Sequence, residues 1–359
     1  MNQLVFKNKI KQRIGIKKWL NTLKRKRYQQ ALRRRQLEIN SKDKRLTKSR
    51  KKRKKTVIDF PSSITLYKVN SRRALLASLQ QMHHAFDKGQ RIHLNLSKIT
   101  SLSPCGTIKL VSEIHSLLKD EEIIITCNLP RGRTEREMLE HLGVVKWLRQ
   151  RRMGHLNNQK RVKDWLFFQG NKLNDISFSD LKPRINTVLN NPSLTDDLIG
   201  SVKEAIINVI DHAYQTSSDM TEAPDQTPWY IFAQVRDNSI RMAVCDRGFG
   251  IPRSMRTTHS KYLQLAFSAS DHLGLTINHK LITAALEYGK SRTKEENRGK
   301  GFTMMQETVK NSTNGFLAIY SDKGLVRMNK HQVIESEDYD STMNGTIILW
   351  DFGINQNGK

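Results

Sequence analysis

The spacing of apolar and polar positions predicts two folded units joined by a short polar segment. In the first unit, over 56–152, residues 91–97 alternate as in a β-strand and residues 106–118 have helical spacing. Residues 121–126 form a short apolar run typical of a buried strand, and residues 136–148 are helical again. The order strand, helix, strand, helix predicts a small α/β sandwich.

The second unit, over 176–353, places helices before strands. Helices are predicted at 178–189, 194–215 and 302–309, and strands at 229–235, 240–245, 315–320, 324–328 and 346–350. Asp237-Asn238 favours a hairpin turn between the first two strands. Helices followed by a mostly antiparallel sheet predict the α+β class. Residues 153–175 are rich in Asn, Gly, Lys and Gln and are predicted to be a linker.

The charge of the chain is concentrated at one end. Residues 1–55 hold 23 lysines and arginines against Glu38 and Asp43, so they carry +21 of the net charge of +28. Few apolar groups and strong self-repulsion predict a flexible basic tail there. Such a tail either contacts a polyanion, which is nucleic acid or an anionic membrane surface, or serves as a solvated localisation segment.

Several classes of protein are disfavoured by the composition. No apolar run reaches the length of a membrane span, so we do not expect an integral membrane protein. The first 20 residues lack the uninterrupted apolar stretch of a secretory signal. Cys105, Cys127 and Cys245 lack metal-ligand spacing and are too few for a disulfide framework. We therefore expect a cytoplasmic protein.

A motif on the predicted helix at 194–215 carries candidate chemistry. Glu204, Asn208 and Asp211 are spaced i, i+4, i+7 and share one face. An amide oxygen such as that of Asn208 can bind Mg²⁺, which prefers hard oxygen ligands. A carboxylate one turn earlier, at Glu204, can orient or deprotonate a water or hydroxyl.

Two glycine motifs follow. Residues 246–250 (DRGFG) come directly after an apolar strand, and residues 298–301 (RGKG) open a helix. A carboxylate ending a strand can accept a hydrogen bond from an exocyclic amine, and the glycines let the backbone approach a flat ring. Glycines that open a helix present N–H groups to phosphate, aided by the helix dipole.

In this order, the three motifs resemble the GHKL superfamily of ATP-binding domains, shared by gyrase, the heat-shock chaperone, histidine kinases and mismatch-repair ATPases. EAIINVIDHAY (204–214) resembles its N box, DRGFGIP (246–252) its first glycine box and RGKGF (298–302) its second. Gly345-Thr346 resembles the late strand that closes the pocket. The resemblance covers about 176–352 and implies an α/β sandwich, a mostly antiparallel sheet covered by helices.

The resemblance implies a site for ATP and Mg²⁺, with Asn208 as the metal ligand and Glu204 as the general base. It implies that Asp246 accepts a hydrogen bond from the adenine amine, with Thr346 beside it. The implied contacts to the adenine edge and the phosphates are Gly248, Gly250, Arg298, Gly299, Lys300 and Gly301. Residues 251–300 would form a lid, with residues 291–293 as candidate sensors of the γ-phosphate.

The first unit resembles a STAS domain, as in anti-sigma-factor antagonists, through residues 92–110 and 139–148. That family carries a phosphorylatable serine in an Asp-Ser-Ser-Gly turn. Here the turn is Ser103-Pro104-Cys105-Gly106, with cysteine next to the glycine. We therefore interpret this unit as a degenerate STAS-like module that binds a protein partner or has a structural role. His83-His84, on a predicted helix, is expected at the surface.

These expectations combine into a regulatory protein that binds Mg-ATP and acts as a slow ATPase switch, with lid closure controlling a partner interaction. Two alternatives stay open. One is a protein serine kinase of the anti-sigma-factor type, and the other is a nucleic-acid-binding adaptor that uses ATP as a structural or sensing ligand. The resemblance is also compatible with a homodimer.

Overall fold

A computed structural model describes residues 54–118, 124–148, 165–214, 227–236, 239–258, 277–291 and 300–353. The predicted basic tail over 1–55 lies outside these ranges except for its last two residues.

The first unit contains two small parallel sheets and the helices that cover them. Strands β1 (Lys55–Asp59), β3 (Arg91–Asn95) and β5 (Ile125–Asn128) pair in the order β1-β3-β5, and β2 (Ser63–Ile64) pairs with β4 (Ser101–Leu102). The helices are α1 (Val69–Asp87), α2 (Pro104–Leu117), α3 (Arg133–His141) and α4 (Val144–Trp147).

Local chemistry explains where these helices begin and end. Helix α2 begins two residues before the predicted start, because Ser103 caps it by accepting the N–H of Gly106 at 3.2 Å and Pro104 follows the cap. The single helix predicted at 136–148 is two helices, because Gly143 has a φ of +84° and interrupts it. Of the strand predicted at 121–126, only residues 124–126 lie in the described ranges, and β5 begins there at Ile125.

The second unit contributes one large sheet and five helices among the described residues. Its strands are β6 (Trp165–Gly170), β7 (Trp229–Arg236), β8 (Ser239–Asp246), β9 (Gly315–Asn329) and β10 (Val333–Gly353). Its helices are α5 (Leu181–Leu189), α6 (Pro192–Asn208), α7 (Ile251–Thr258), α8 (Asn278–Ser291) and α9 (Lys300–Lys310). The sheet has the order β6-β7-β8-β10-β9, with every neighbouring pair antiparallel. This mixed architecture is compatible with the α+β class.

Three details differ from the sequence-based expectations. The segment predicted as a linker contains β6, the edge strand of the large sheet, because its apolar residues 165–168 pair with β7. Helix α6 ends at Asn208 and continues as a π-helical turn over Val209–Ala213. The strands predicted at 315–320 and 324–328 are one strand, β9, in which Asp322 has a φ of +52°.

Both faces of the large sheet are buried. On β7, Trp229, Ile231 and Ala233 belong to a core formed with helices α5, α6, α8 and α9. Tyr230 and Phe232 belong to a second core, formed with the strands and helices of the first unit. Helix α2 packs directly on β7 and β8. The two units therefore share one continuous apolar core.

A buried arginine fixes the hairpin of β9 and β10 to the first unit. The guanidinium of Arg72, on α1, donates to the carbonyl oxygens of Asp322 at 2.7 Å and Ser341 at 3.3 Å. Its Cζ lies 4.3 Å from the ring centroid of Tyr339. Burial lowers the pKa of Arg72 from its ordinary value, which the neighbouring tyrosines and aspartates oppose.

Within the described ranges, none of the helices combines the length and the apolar character that crossing a bilayer requires.

The shared core predicts that the two units unfold together. Ile108→Ala removes a fully buried side chain of α2 and should lower the free energy of unfolding by about 2 to 5 kcal/mol. Hydrogen exchange should then accelerate in β3 and in β8 to the same extent. Val57→Ala, at a position 52% exposed, is the control and should cost under about 1 kcal/mol. Acceleration confined to β3 would contradict the shared core.

Candidate functional site

The second glycine motif packs on the motif of helix α6. A Cβ added at Gly301 would lie 3.1 Å from Oε2 of Glu204 and 3.3 Å from Nδ2 of Asn208. The first turn of α9 therefore lies directly over these two side chains, as the sequence predicts for a shared site.

Small residues let α6 and α9 approach closely enough for this contact. A Cβ at Gly200 would lie 2.2 Å from Cε of Met304, and the hydroxyls of Ser201 and Thr308 are 2.6 Å apart in the buried interface. Thr308 also donates to the carbonyl oxygen of Asp197 at 3.2 Å. These contacts fix the position of Gly301 against the motif.

Asn208 is the polar group of this site that most clearly lacks a partner. Its Nδ2 is buried and makes no hydrogen bond within the part of the chain that the structure describes. It is the last residue of α6, immediately before the π-helical turn, and such turns are frequent at functional sites. An unpaired buried amide costs free energy unless a ligand satisfies it. The side chains of Asp211 and His212 are exposed.

Asp246 ends strand β8 as a buried carboxylate. Its Oδ1 accepts the N–H of Gly248 at 2.7 Å, and the N–H and hydroxyl of Thr346 also favour its ionised form. Gly345, before Thr346, has a φ of +93°, and a Cβ there would lie 2.2 Å from the carbonyl oxygen of Asp246. The sequence-predicted pair Asp246 and Thr346 is thus brought together by a glycine that allows two strand ends to touch.

The first glycine motif connects the carboxylate to the end of the helix motif. A Cβ at Gly248 would lie 2.0 Å from the carbonyl oxygen of Ala213, and this oxygen accepts the N–H of Phe249 at 2.9 Å. Gly250 has a φ of +83°, and a Cβ there would lie 2.8 Å from Oγ of Ser321. Ser321 in turn lies 3.0 Å from the hydroxyl of Thr346.

Burial raises the pKa of Asp246 to about 6. Hydrogen bonds from Gly248 and Thr346 and the positive charge of Lys109 oppose this rise. A buried carboxylate with a pKa raised in this way is typical of binding and catalytic sites.

Some predicted site residues fall outside the described ranges. Arg298 and Gly299 lie there, as do Arg292 and Thr293 and most of the lid predicted over 251–300. The described parts of that segment are helices α7 and α8. Lys300 begins α9, which places it next to Gly301.

The sequence analysis missed an ionic cluster beside the site. Glu113, on α2, accepts hydrogen bonds from Lys109 at 2.5 Å and from Arg247 at 2.9 Å, and its other contact is His83 at 2.7 Å. Although burial acts to raise it, Lys109, His83 and Arg247 hold the pKa of Glu113 well below its usual range. Two charges four residues apart on an otherwise apolar helix were the available signal. Of the histidine pair expected at the surface, His84 is exposed, whereas His83 is half-buried against Glu113.

The Ser103–Gly106 turn of the first unit makes its polar contacts within the protein. Ser103 donates to the carbonyl oxygen of Ile64 at 3.1 Å and caps α2. Cys105 is buried, and burial raises the pKa of its thiol far above its usual range, so the thiol is protonated.

Two further features bear on ligands. Among the residues the structure describes, no three His, Cys, Asp or Glu side chains converge on a metal position. A cavity of about 770 Å³ lies between α5 and α6, and none of the motif residues lines it. Its lining includes Ile176, Phe178, Lys182, Asn186, Asp196 and Lys203.

Comparison of the sequence with protein-family models found no match, and a search of curated proteins found no similar sequence.

The buried carboxylate predicts a pH-dependent stability. Because folding raises the pKa of Asp246 from 3.8 to about 6, its contribution is full below pH 4 and is lost as the pH rises through 6. Asp246→Asn removes this loss. The variant should therefore gain about 3 kcal/mol relative to the wild type between pH 4 and pH 8. Urea unfolding of both proteins at pH 4, 6 and 8 measures this, and a constant difference would contradict the buried carboxylate.

Proposed function

We propose that this protein binds Mg-ATP at the site formed by the three motifs and acts as a slow ATPase switch. One observation carries the proposal: motifs at 204–213, 246–250 and 300–301, with Gly345-Thr346, are far apart in sequence and meet in one place. Their order and chemistry agree with the resemblance to GHKL domains. We also propose that the protein is cytoplasmic, where ATP is available.

The adenine side of the proposed site is the end of β8. Ionised Asp246 has acceptor capacity left after its bonds to Gly248 and Thr346, and it would accept a hydrogen bond from the adenine amine. Thr346 would stand beside it as a second polar contact. Gly248 and Gly250 keep side chains away from the ring, which would lie against the backbone.

The metal and phosphate side is the contact between α6 and α9. Asn208 would be a ligand of Mg²⁺ through its amide oxygen. Its unpaired atom is the amide nitrogen, a donor, which would be satisfied by a phosphate oxygen. A Cβ at Gly301 would fill the space beside Glu204 and Asn208, so the glycine keeps this cradle open. Gly299, Lys300 and Gly301, with Arg298, would contact phosphates through backbone N–H groups and positive charge. The bound metal would neutralise phosphate charge.

Glu204 is the proposed general base. Its carboxylate lies one helical turn before Asn208 and beside Gly301, where it would accept a proton from an attacking water.

A second candidate is a serine kinase that acts on a separate protein. The buried thiol of Cys105 and the engaged hydroxyl of Ser103 disfavour an acceptor within this chain. A protein partner of the STAS-like unit would therefore be the phosphate acceptor. The +21 charge of residues 1–55 separately supports contact with nucleic acid or another polyanion.

Two substitutions test the proposed roles. Asp246→Asn replaces one carboxylate oxygen with an amide NH2 donor, which would face the donor amine of adenine, and should weaken ATP binding by roughly 10- to 100-fold. Glu204→Ala should leave ATP affinity within about threefold and reduce phosphate release at least a hundredfold. Calorimetry with Mg-ATP and a phosphate-release assay measure these. Unchanged affinity in Asp246→Asn would refute the adenine assignment, and transfer of labelled phosphate to a STAS protein would favour the kinase.

Two glycine substitutions, one on each helix, distinguish an effect on nucleotide binding from an effect on helix packing. Gly301→Ala places a methyl group against Glu204 and Asn208 and should weaken Mg-ATP binding about tenfold, while the better helix propensity of alanine keeps the Tm unchanged or higher. Gly200→Ala is the matched control, because its methyl group meets the flexible end of Met304. Equal ATP affinity in both variants would contradict a phosphate site at Gly301.

A further inference from the structure

The ionic cluster on α2 joins the first unit to both strand ends that form the adenine side of the site. Glu113 accepts a hydrogen bond from Arg247, the residue that follows Asp246. Lys109 donates to Glu113 at 2.5 Å and to the carbonyl oxygen of Asn344 at 2.6 Å. One helix of the first unit thus contacts the chain next to Asp246 and the chain next to Gly345-Thr346.

The cluster is buried, which makes its arrangement specific. The side chains of Lys109 and Glu113 are 3% and 6% exposed, and that of Arg247 is 25% exposed. Charges removed from water in this way add little net stability, but they strongly disfavour any arrangement in which one of them loses its partner. The positions of Arg247 and Asn344 are therefore tied to the docking of α2 on the sheet.

We propose that Lys109 and Glu113 are positioning residues through which the first unit controls nucleotide affinity at Asp246. The first unit then sets the affinity of the site, because α2, docked on the sheet, holds the two strand ends beside the Asp246 carboxylate. This inference rests on the proposed function, since it concerns the same adenine contact.

The charges of Lys109 and Glu113 should change the ionisation of Asp246, and a packing contact alone would not do this. The positive charge of Lys109 favours the ionised form of Asp246, which is the form that accepts from an amine. The negative charge of Glu113 disfavours that ionised form. Other groups around Asp246 are the Tyr214 hydroxyl and the Cys245 thiol, while the Arg247 guanidinium is directed to Glu113.

The experiment compares three variants of the full chain. Lys109→Met should raise the pH midpoint of the Asp246-dependent step in stability by about one unit, whereas Glu113→Gln should lower it. The step is measured without nucleotide, as the difference in unfolding between each variant and the same variant carrying Asp246→Asn. Val111→Ala, a buried position on the same helix, is the control and should reduce stability without moving the midpoint.

Nucleotide affinity is the second measurement. Lys109→Met should weaken Mg-ATP binding at pH 7 by roughly 5- to 50-fold, with Val111→Ala unchanged. If Lys109→Met does not fold, the double variant Lys109→Met/Glu113→Gln leaves no unpaired charge on α2 and takes its place in the affinity measurement. Its midpoint is not informative, because the two substitutions shift it in opposite directions. An unmoved midpoint together with unchanged affinity would overturn the positioning role.

Failure of the ATP proposal and failure of the positioning role give different results. If the wild type binds no nucleotide while the midpoints shift in opposite directions, the ATP proposal fails and the control of the Asp246 carboxylate by the first unit stands. If the wild type binds ATP and every variant behaves like Val111→Ala, the ATP proposal stands and the regulatory role of α2 fails.

Discussion

The five-stranded sheet is apolar on both faces, and the need to cover both decides how this chain is arranged. Alternate residues of β7 point into different cores, one built with the helices of the same unit and one with the unit that precedes it. An antiparallel sheet commonly leaves one face to water, but Tyr230 and Phe232 exclude that here. The first unit therefore completes the second, and its helix α2 comes to rest next to the strand ends that form the candidate site.

Close backbone contacts then assemble the site. Gly248 touches the end of the helix motif, Gly345 touches the end of β8, and Gly301 touches Glu204. Each of these contacts is possible only because the glycine has no side chain at that point. Asn208 with an unpaired amide and Asp246 as a buried carboxylate both have capacity for a ligand. That combination of tight backbone and unsatisfied polar groups supports nucleotide binding better than a purely structural role.

Local pattern was enough to predict the elements that depend on local chemistry. The apolar runs at 229–235 and 240–245 predicted an antiparallel pair, and the structure confirms it, because both faces of each strand are buried. The apolar segment at 165–168 was misread as part of a linker, since four residues cannot show which strand they will pair with. The motif residues were found because glycine and carboxylate spacing is visible in sequence. The bond between Glu113 and Arg247 joins residues 134 positions apart, and no local pattern encodes it.

The shared core also has a consequence for synthesis of the chain. The first unit leaves the ribosome before the strands that cover it, and its last partners in that core lie near Leu349. At about 5 to 20 residues per second, the roughly 230 residues after α2 take on the order of 10 to 50 s to make. Until β7 and β8 follow, about halfway through that time, the apolar side of α2 and the charges of Lys109 and Glu113 lack the sheet that buries them. The nascent first unit is therefore a natural client for chaperones until β10 is complete.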